Sequence, residues 1–318
     1  MFLIKKFLNS PVSSLSRSLL YLKQYISIGR LYRPSKVAKF VFLCGGSQDN
    51  GFISSRRSEI IKFIDKNLPN IKVFIAEPVF EILKSEGHKG NILDIEDQIS
   101  KFADEVIIVL ESNGAFCELG AFSSKSLRSK IIVINDEKYK GSSSFINLGP
   151  LEAIKEKSGQ KKIIHYKMDD IPLSKIDAIG DIFLQLKDIL DSIPPDKAGV
   201  VALAACNPKE AFEKDTMKDT LRFLHDLILF CGPITHGELT EVIIKIFGDD
   251  NYSRLKQWLG LLRSTNLIEV QTTKSGIYYI SKMRNPLLNY NFDINIIISS
   301  FRTTYQKYDV ERLSYVKK

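Results

Sequence analysis

Acidic residues are missing from the first 48 positions of this chain: none precedes Asp49. That stretch carries Lys5, Lys6, Arg17, Lys23, Arg30, Arg33, Lys36 and Lys39, and the remaining 37 basic residues balance the 37 acidic ones. The formal charge of +8 therefore belongs wholly to the N-terminal segment, and the body of the protein is neutral. Cysteine is scarce as well. Cys44, Cys117, Cys206 and Cys231 are scattered without a CxxC pair, which argues against a disulfide framework or zinc site and for a reducing cytosol. His88, His165, His225 and His236 are equally dispersed, so no metal site and no bound cofactor is expected. No apolar run approaches the ~20 residues of a membrane span. The length of 318 residues leaves room for two domains at roughly 150 residues each.

Residues 1–36 mix apolar, basic and serine positions, as in Leu19-Leu20-Tyr21-Leu22 and Tyr25-Ile26. They read as a basic helical segment ending near Pro34. Its charge suits nucleic acid, another anionic partner or a membrane surface, and its composition also resembles a transit peptide. The plainer alternative is an arm docked on its own domain or on another subunit.

From residue 37 strand and helix patterns alternate. Strands are expected at Phe40–Cys44, Val73–Ile75, Val106–Leu110, Lys130–Ile134 and Ile163–Tyr166. Helices are expected around Ile60–Ile64, 79–84, 92–102, 118–127 and 174–191. The succession implies a parallel sheet with helices on both faces, an α/β domain over 37–195. Pro194-Pro195-Asp196 ends it. Helices over 216–231, one beginning at Thr235 (capped there, with Glu238 three residues on), and 252–264 precede strands 267–271 and 277–280, the arrangement of a winged-helix domain over 196–318.

The most informative stretch is Val106–Gly120. Five apolar residues run into a turn at Ser112-Asn113-Gly114, after which Glu118 opens a helix. In an open parallel sheet, ligands sit past the carboxyl ends of the strands, so Glu118 is a candidate nucleophile or charge stabiliser. Its plainer reading is an acid in a helix's first turn, offsetting the dipole. Gly45-Gly46-Ser47 follows the first strand as a phosphate-cradling turn would, although it is neither GxGxxG nor a P-loop. Arg56 and Arg57 either meet a diphosphate or lie on the solvated surface. Asp97, with Asp94 and Glu96, either bonds a ribose or base or lies on an exposed helix face.

Phe42–Gly46, the run from Asp97 to Val106, and Asn113–Gly120 resemble the nucleoside 2-deoxyribosyltransferase-like fold, a Rossmann-like parallel sheet. That resemblance gives Glu118 the role of acting on the anomeric carbon during N-glycosidic cleavage. The family usually places an aspartate where Ser112 stands and a Gly-Thr pair where Gly114-Ala115 stands. The departure argues against ordinary transfer between deoxynucleosides, and Glu111 is the neighbouring substitute. Residues 42–46, 111–123 and 144–150 further resemble the effector proteins of type II-A retrons.

This second resemblance implies antiphage defence in the bacterial cytoplasm, with NAD as substrate. The implied partners are a retron reverse transcriptase, its RNA and its multicopy single-stranded DNA, in a homo-oligomer or larger nucleoprotein assembly. Nicotinamide leaves NAD as a neutral molecule, so the site must stabilise an oxocarbenium-like ribosyl centre and needs no general acid. Glu118 supplies that charge. Cys44, Gly45, Gly46, Ser47, Asp97, Glu111, Ser112, Asn113 and Gly114 line the substrate. Arg254, Lys256, Arg263 and Lys274 are the candidate nucleic-acid contacts of the winged helix. The rival readings are a glycosidase or deoxyribosyltransferase acting on nucleotides or DNA, and a DNA-binding regulator without catalysis.

Overall fold

The computed structural model describes residues 3–34, 38–48, 51–75, 84, 100, 102–123, 126–209, 217–249, 251–274 and 276–315. They form two compact units, one built from the N-terminal and C-terminal parts of the chain and one from the middle.

The first unit begins with helices α1 (Leu3–Leu8) and α2 (Ser14–Ser27) and strand β1 (Leu31–Arg33). Ser13 caps α2 by accepting from the Ser16 N–H, and Leu15, Leu19, Leu22 and Ile26 form its buried stripe. The basic segment of residues 1–36 is thus, over its described residues, a packed part of this unit, the docked-arm reading, and it ends in a strand rather than in helix. Its cations are partly spent at home: Lys5 pairs with Glu241 at 2.7 Å, and Arg33 Nε donates to both oxygens of Asp219 at 2.9 Å.

The middle unit is a five-stranded, wholly parallel sheet. Its strands are β2 (Lys39–Cys44), β3 (Ile71–Ile75), β4 (Glu105–Val109), β5 (Ile131–Asp136) and β6 (Ile163–Tyr166), in the order β3-β2-β4-β5-β6. Every residue of β2, β4 and β5 is buried, which is why these strands read as unbroken apolar runs. Its helices among the described residues are α3 (Ser55–Asn67), α4 (Asn113–Phe122), α5 (Glu152–Ser158) and α6 (Phe183–Asp191). One face buries Val41, Leu43, Ile107, Val109 and Ile164 with Ile60 and Ile64 of α3 and Leu186 of α6. On the other, Phe42 stacks with Phe74 and meets Phe122 edge-on at 6.1 Å, so α4 is anchored over β2.

The helix expected at 118–127 starts five residues earlier and ends at Phe122. Ser112, taken from sequence as a turn residue, is its cap and accepts from the Ala115 N–H at 3.2 Å. The helix expected at 174–191 is a short 3-10 turn at Ala178–Ile182 followed by α6. The helical patterns at 79–84 and 92–102 lie largely outside the described residues.

The chain then re-enters the first unit through β7 (Gly199–Val200), α7 (Met217–Cys231), β8 (Ile234–Thr235), α8 (His236–Phe247) and α9 (Leu255–Ser264). Strands β9 (Ile268–Thr273) and β10 (Gly276–Ser281) follow as an antiparallel hairpin, with β8 on the outer side of β10. The foreseen capping box at the start of α8 is present, Thr235 and Glu238 bonding to each other's backbone. Strand β11 (Asn289–Tyr290) and helices α10 (Asn295–Tyr308) and α11 (Val310–Leu313) close the unit. Strand β1 pairs with both β11 and β7.

Candidate active site at the ends of two parallel strands

The strand order reverses between β2 and β4: from β2 the chain moves outward to β3, then crosses back to β4 and continues to β5 and β6. A crevice opens past the carboxyl ends of strands at such a switch point. Two sequence-nominated segments arrive there, Cys44-Gly45-Gly46-Ser47 from β2 and Glu111-Ser112-Asn113-Gly114 from β4.

A buried ionic network holds them together. Glu111 Oε1 accepts from the Gly46 N–H at 3.0 Å and from the Ser54 hydroxyl, while Oε2 accepts from Arg56 Nη1 at 3.2 Å. Arg56 donates from Nε to Asp177 at 2.8 Å and from Nη2 to the Asp169 carbonyl at 2.7 Å. Tyr166 donates its hydroxyl to Asp177 at 3.1 Å. The side chains of Glu111 and Asp177 are wholly buried. Burial alone lowers the pKa of Arg56, but Asp177, Tyr166 and Glu111 outweigh it and hold the guanidinium above its ordinary value. Burial likewise raises the Tyr166 phenol, against the pull of Arg56.

Arg57 clamps the same turn from the other side, donating to the carbonyls of Gly46 at 3.2 Å and Leu43 at 2.9 Å. The two glycines are fitted to this packing. Gly45 has φ +155°, and a Cβ on it would stand 2.8 Å from Arg57 Cδ and 3.0 Å from Glu111 Oε1. On Gly46 a Cβ would stand 2.8 Å from Leu173 Cδ1. The surface reading of Arg56 and Arg57 is therefore wrong: they are 3% and 1% exposed. The Gly46 amide expected to face a phosphate faces a carboxylate instead. Sequence reasoning missed Ser54, Tyr166 and Asp177. It also passed over one available signal, two arginines in the first turn of a helix, where the dipole disfavours cations unless carboxylates hold them.

Glu118 lies in the second turn of α4, whose first turn holds no acid. The dipole argument fades beyond the first turn, so the plainer explanation of this carboxylate loses its basis. By helical spacing, Glu118 flanks the buried stripe of Ala115, Leu119 and Phe122. It is half-buried, and its Oε2 is shielded from solvent. Among the other nominated residues, Cys44 and Gly46 are buried, Gly45 and Ser112 are half-buried, Glu111 is half-buried through its backbone alone, and Ser47, Asn113 and Gly114 are exposed. Asp97 lies outside the described residues.

The nucleic-acid candidates belong to the other unit. Arg254 precedes α9, Lys256 and Arg263 stand seven residues apart on one face of it, and Lys274 is near the β9–β10 turn. Arg254, Lys256 and Lys274 are exposed and Arg263 is half-buried. The same unit has a fully buried hub. Asp226 accepts from the N–H groups of Leu287 and Leu288 and from the Tyr290 hydroxyl, and it contacts His225 at 2.8 Å. Among the described residues no cluster of three or more His, Cys, Asp or Glu could hold a metal, and no helix is long and apolar enough to cross a membrane.

A family model described as the STM3845 retron effector protein matches residues 53–270. The chain is 39% identical over 309 residues, 95% of each sequence, to a retron Ec73 protein of Escherichia coli whose name proposes a ribosyltransferase and DNA-binding protein. It is 33% identical over 141 residues to a retron Ec86 protein of the same organism with a similarly worded name, covering 44% of this chain and 45% of that one.

Proposed function

This chain belongs to the STM3845 retron effector family, and from that premise we propose that it is an N-glycosidase that hydrolyses NAD, with Glu118 as its catalytic carboxylate. The observation that carries the reading is the position of Glu118. It stands one turn inside the helix that leaves β4 at the switch point, and the turn after the parallel neighbour β2 is locked by Glu111 and Arg57. Such a carboxylate needs no proton to work. The bond from the ribosyl C1′ to the nicotinamide nitrogen breaks, its electron pair leaves with the neutral pyridine, and Glu118 offsets the positive charge at C1′ or bonds to it transiently. Water then attacks C1′ and loses its proton to solvent, giving ADP-ribose. The exposed Ser47, Asn113 and Gly114 offer hydroxyl, amide and backbone groups to the sugar and the carboxamide. The parallel sheet fits a nucleoside deoxyribosyltransferase-like domain.

The three helices and hairpin of the other unit fit a winged helix, and Lys256 and Arg263 on one face of α9 suit a phosphate backbone. In this reading the protein is the toxic effector of an antiphage system, held in an assembly with its reverse transcriptase, RNA and multicopy DNA. Incubating the purified chain with NAD should release free nicotinamide, and Glu118→Gln should slow release by about 10²–10³-fold. Equal rates for the two proteins would refute the mechanism. Free base released from nucleoside monophosphates with NAD untouched would move the substrate to the nucleotide pool.

A further inference from the structure

The end of α9 is built more elaborately than a helix stop requires. A Schellman turn closes it: the Asn266 N–H donates to the Arg263 carbonyl at 3.0 Å and the Leu267 N–H to the Leu262 carbonyl at 3.1 Å. Asn266 takes the left-handed position of that turn with φ +57°, the one residue other than glycine at positive φ among the described residues. Glycine is the usual occupant there, because it has no Cβ to strain. Asparagine brings a side chain instead, and that side chain has a partner. Its Oδ1 accepts from Nζ of Lys282, the residue after β10. The Lys282 N–H in turn donates to the Leu267 carbonyl at 2.9 Å.

Backbone and side chain thus both hold Lys282 at the C-terminal end of α9. It is exposed and forms no ion pair among the described residues. The acid of β9, Glu269, stands opposite Ile280, two residues short of Lys282, and does not pair with it. A cation at this end offsets the helix dipole wherever it points; seating it on an asparagine in a left-handed turn also fixes its direction. Along the rest of α9 only a narrow strip meets solvent. Leu255, Trp258, Leu259, Leu261 and Leu262 are buried, which leaves Lys256 exposed and Gln257, Arg263 and Ser264 half-buried. Gly260 lies between Lys256 and Arg263 on that face and puts no side chain between them. With a helical rise of ~1.5 Å per residue, these two cations are spaced about 10 Å apart along the axis, and Lys282 adds a third charge at its end. The aromatic residues of α9, β9 and β10, namely Trp258, Tyr278 and Tyr279, are all buried. The strip therefore offers charge without a stacking platform, which suits the phosphates of a duplex rather than the bases of a single strand.

We propose that Lys282 is a phosphate contact for double-stranded DNA, acting with Lys256 and Arg263, and that Asn266 is its positioning residue. Lys282 is not among the four cations nominated from sequence, because the asparagine that seats it lies 16 positions away. A long, flexible ammonium loses rotamer freedom when it meets a phosphate, and one already held in place loses less. The role of Lys282 rests on the α9 reading given above and is independent of Glu118.

The test uses the full chain and a short fluorescein-labelled DNA duplex of mixed sequence, with anisotropy followed over a series of salt concentrations. Lys282→Gln, a change at an exposed position, should weaken binding about three- to tenfold at low salt and lower the slope of log affinity against log salt by roughly 0.9, one phosphate's worth. Asn266→Gly keeps the left-handed turn and leaves Lys282 charged but unheld. It should weaken binding about twofold or more and leave the slope as it is. In the Lys282→Gln background the same change should have no further effect, since Asn266 acts through Lys282. Lys256→Glu with Arg263→Glu separates this inference from the reading beneath it. If that double variant loses the duplex while Lys282→Gln binds and responds to salt as the wild type does, the α9 reading stands and the role of Lys282 is overturned. A wild-type chain that does not bind the duplex overturns both, and tighter binding of an oligothymidine strand overturns the choice of duplex. An equal loss from Asn266→Gly in both backgrounds overturns the positioning role.

Discussion

Arg56→Met keeps the aliphatic stem of this side chain and removes the guanidinium that two fully buried carboxylates share. Breaking a buried pair by deleting one partner costs about 3–5 kcal/mol, because the remaining charge is left uncompensated. Both carboxylates retain other donors here. Glu111 keeps the Gly46 N–H and the Ser54 hydroxyl, and Asp177 keeps the Tyr166 hydroxyl and the Ile179 N–H. The low end, about 3 kcal/mol, is therefore expected, a drop of roughly 6–12 °C for a unit of this size. The measurement has a built-in control. Trp258 is the chain's single tryptophan and is buried in the first unit. Far-UV dichroism follows both units, whereas tryptophan fluorescence follows the first alone, so the loss should appear in the dichroism transition that fluorescence does not report. Adding Glu111→Gln should return at least about 1 kcal/mol as a coupling energy. A loss below about 1 kcal/mol, the scale of an exposed ion pair, would refute the claim that Arg56 ties the two buried carboxylates together.

Other outcomes follow from single groups. Gly45→Ala forces an L residue to φ +155° and drives its Cβ into Arg57 and Glu111; a cost of about 2–4 kcal/mol should show in the same dichroism transition. Burial pushes the Glu105 carboxyl up to about 7 against the opposing pull of Lys162, so the native state favours its protonated form. That contribution is complete below the carboxyl's ordinary value near 4.5 and fades as pH rises through about 7; urea titrations should show stability falling from pH 5 to pH 8, and Glu105→Gln should flatten the slope. Asp226→Ala strands two buried N–H groups and the Tyr290 hydroxyl, and about 3 kcal/mol or more should be lost from the transition reported by Trp258. Lys256→Glu with Arg263→Glu should weaken duplex DNA binding by the whole chain and reduce its salt dependence by roughly two counterions.

What the sequence disclosed and concealed divides by the range of the interactions concerned. Strands β2, β4 and β5 were legible because burial on both faces leaves runs of apolar residues without alternation. The Thr235–Glu238 box was legible because its partners stand three residues apart. The start of α4 was misplaced because Ser112-Asn113-Gly114 carries turn chemistry, and only the Ser112 bond to the Ala115 N–H turns it into a helix cap. Arg56 was unreadable for a different reason. Its partners Glu111 and Asp177 lie 55 and 121 positions along the chain, and only the folded sheet brings them near. Helix α10 was not foreseen; it opens on Ile296-Ile297-Ile298, and β-branched runs weaken a helical signal that packing supplies instead.

The network around Glu111 also decides how the two glutamates after β4 divide the work. A base-handling role for Glu111 would require its oxygens to reach a ligand, but Arg56, Ser54 and the Gly46 amide already occupy them, in a side chain sealed from solvent. Its effect is to fix the β2 turn against β4 and to neutralise the buried guanidinium in the interior of the unit. On the glycosidase proposal, Glu118 rather than Glu111 is then the carboxylate left for the ribosyl centre. Ser112 fits the same division. It spends its oxygen on the Ala115 N–H and so sets where α4 begins, which places Glu118 in the second turn, beyond the N–H groups that would otherwise have accounted for it.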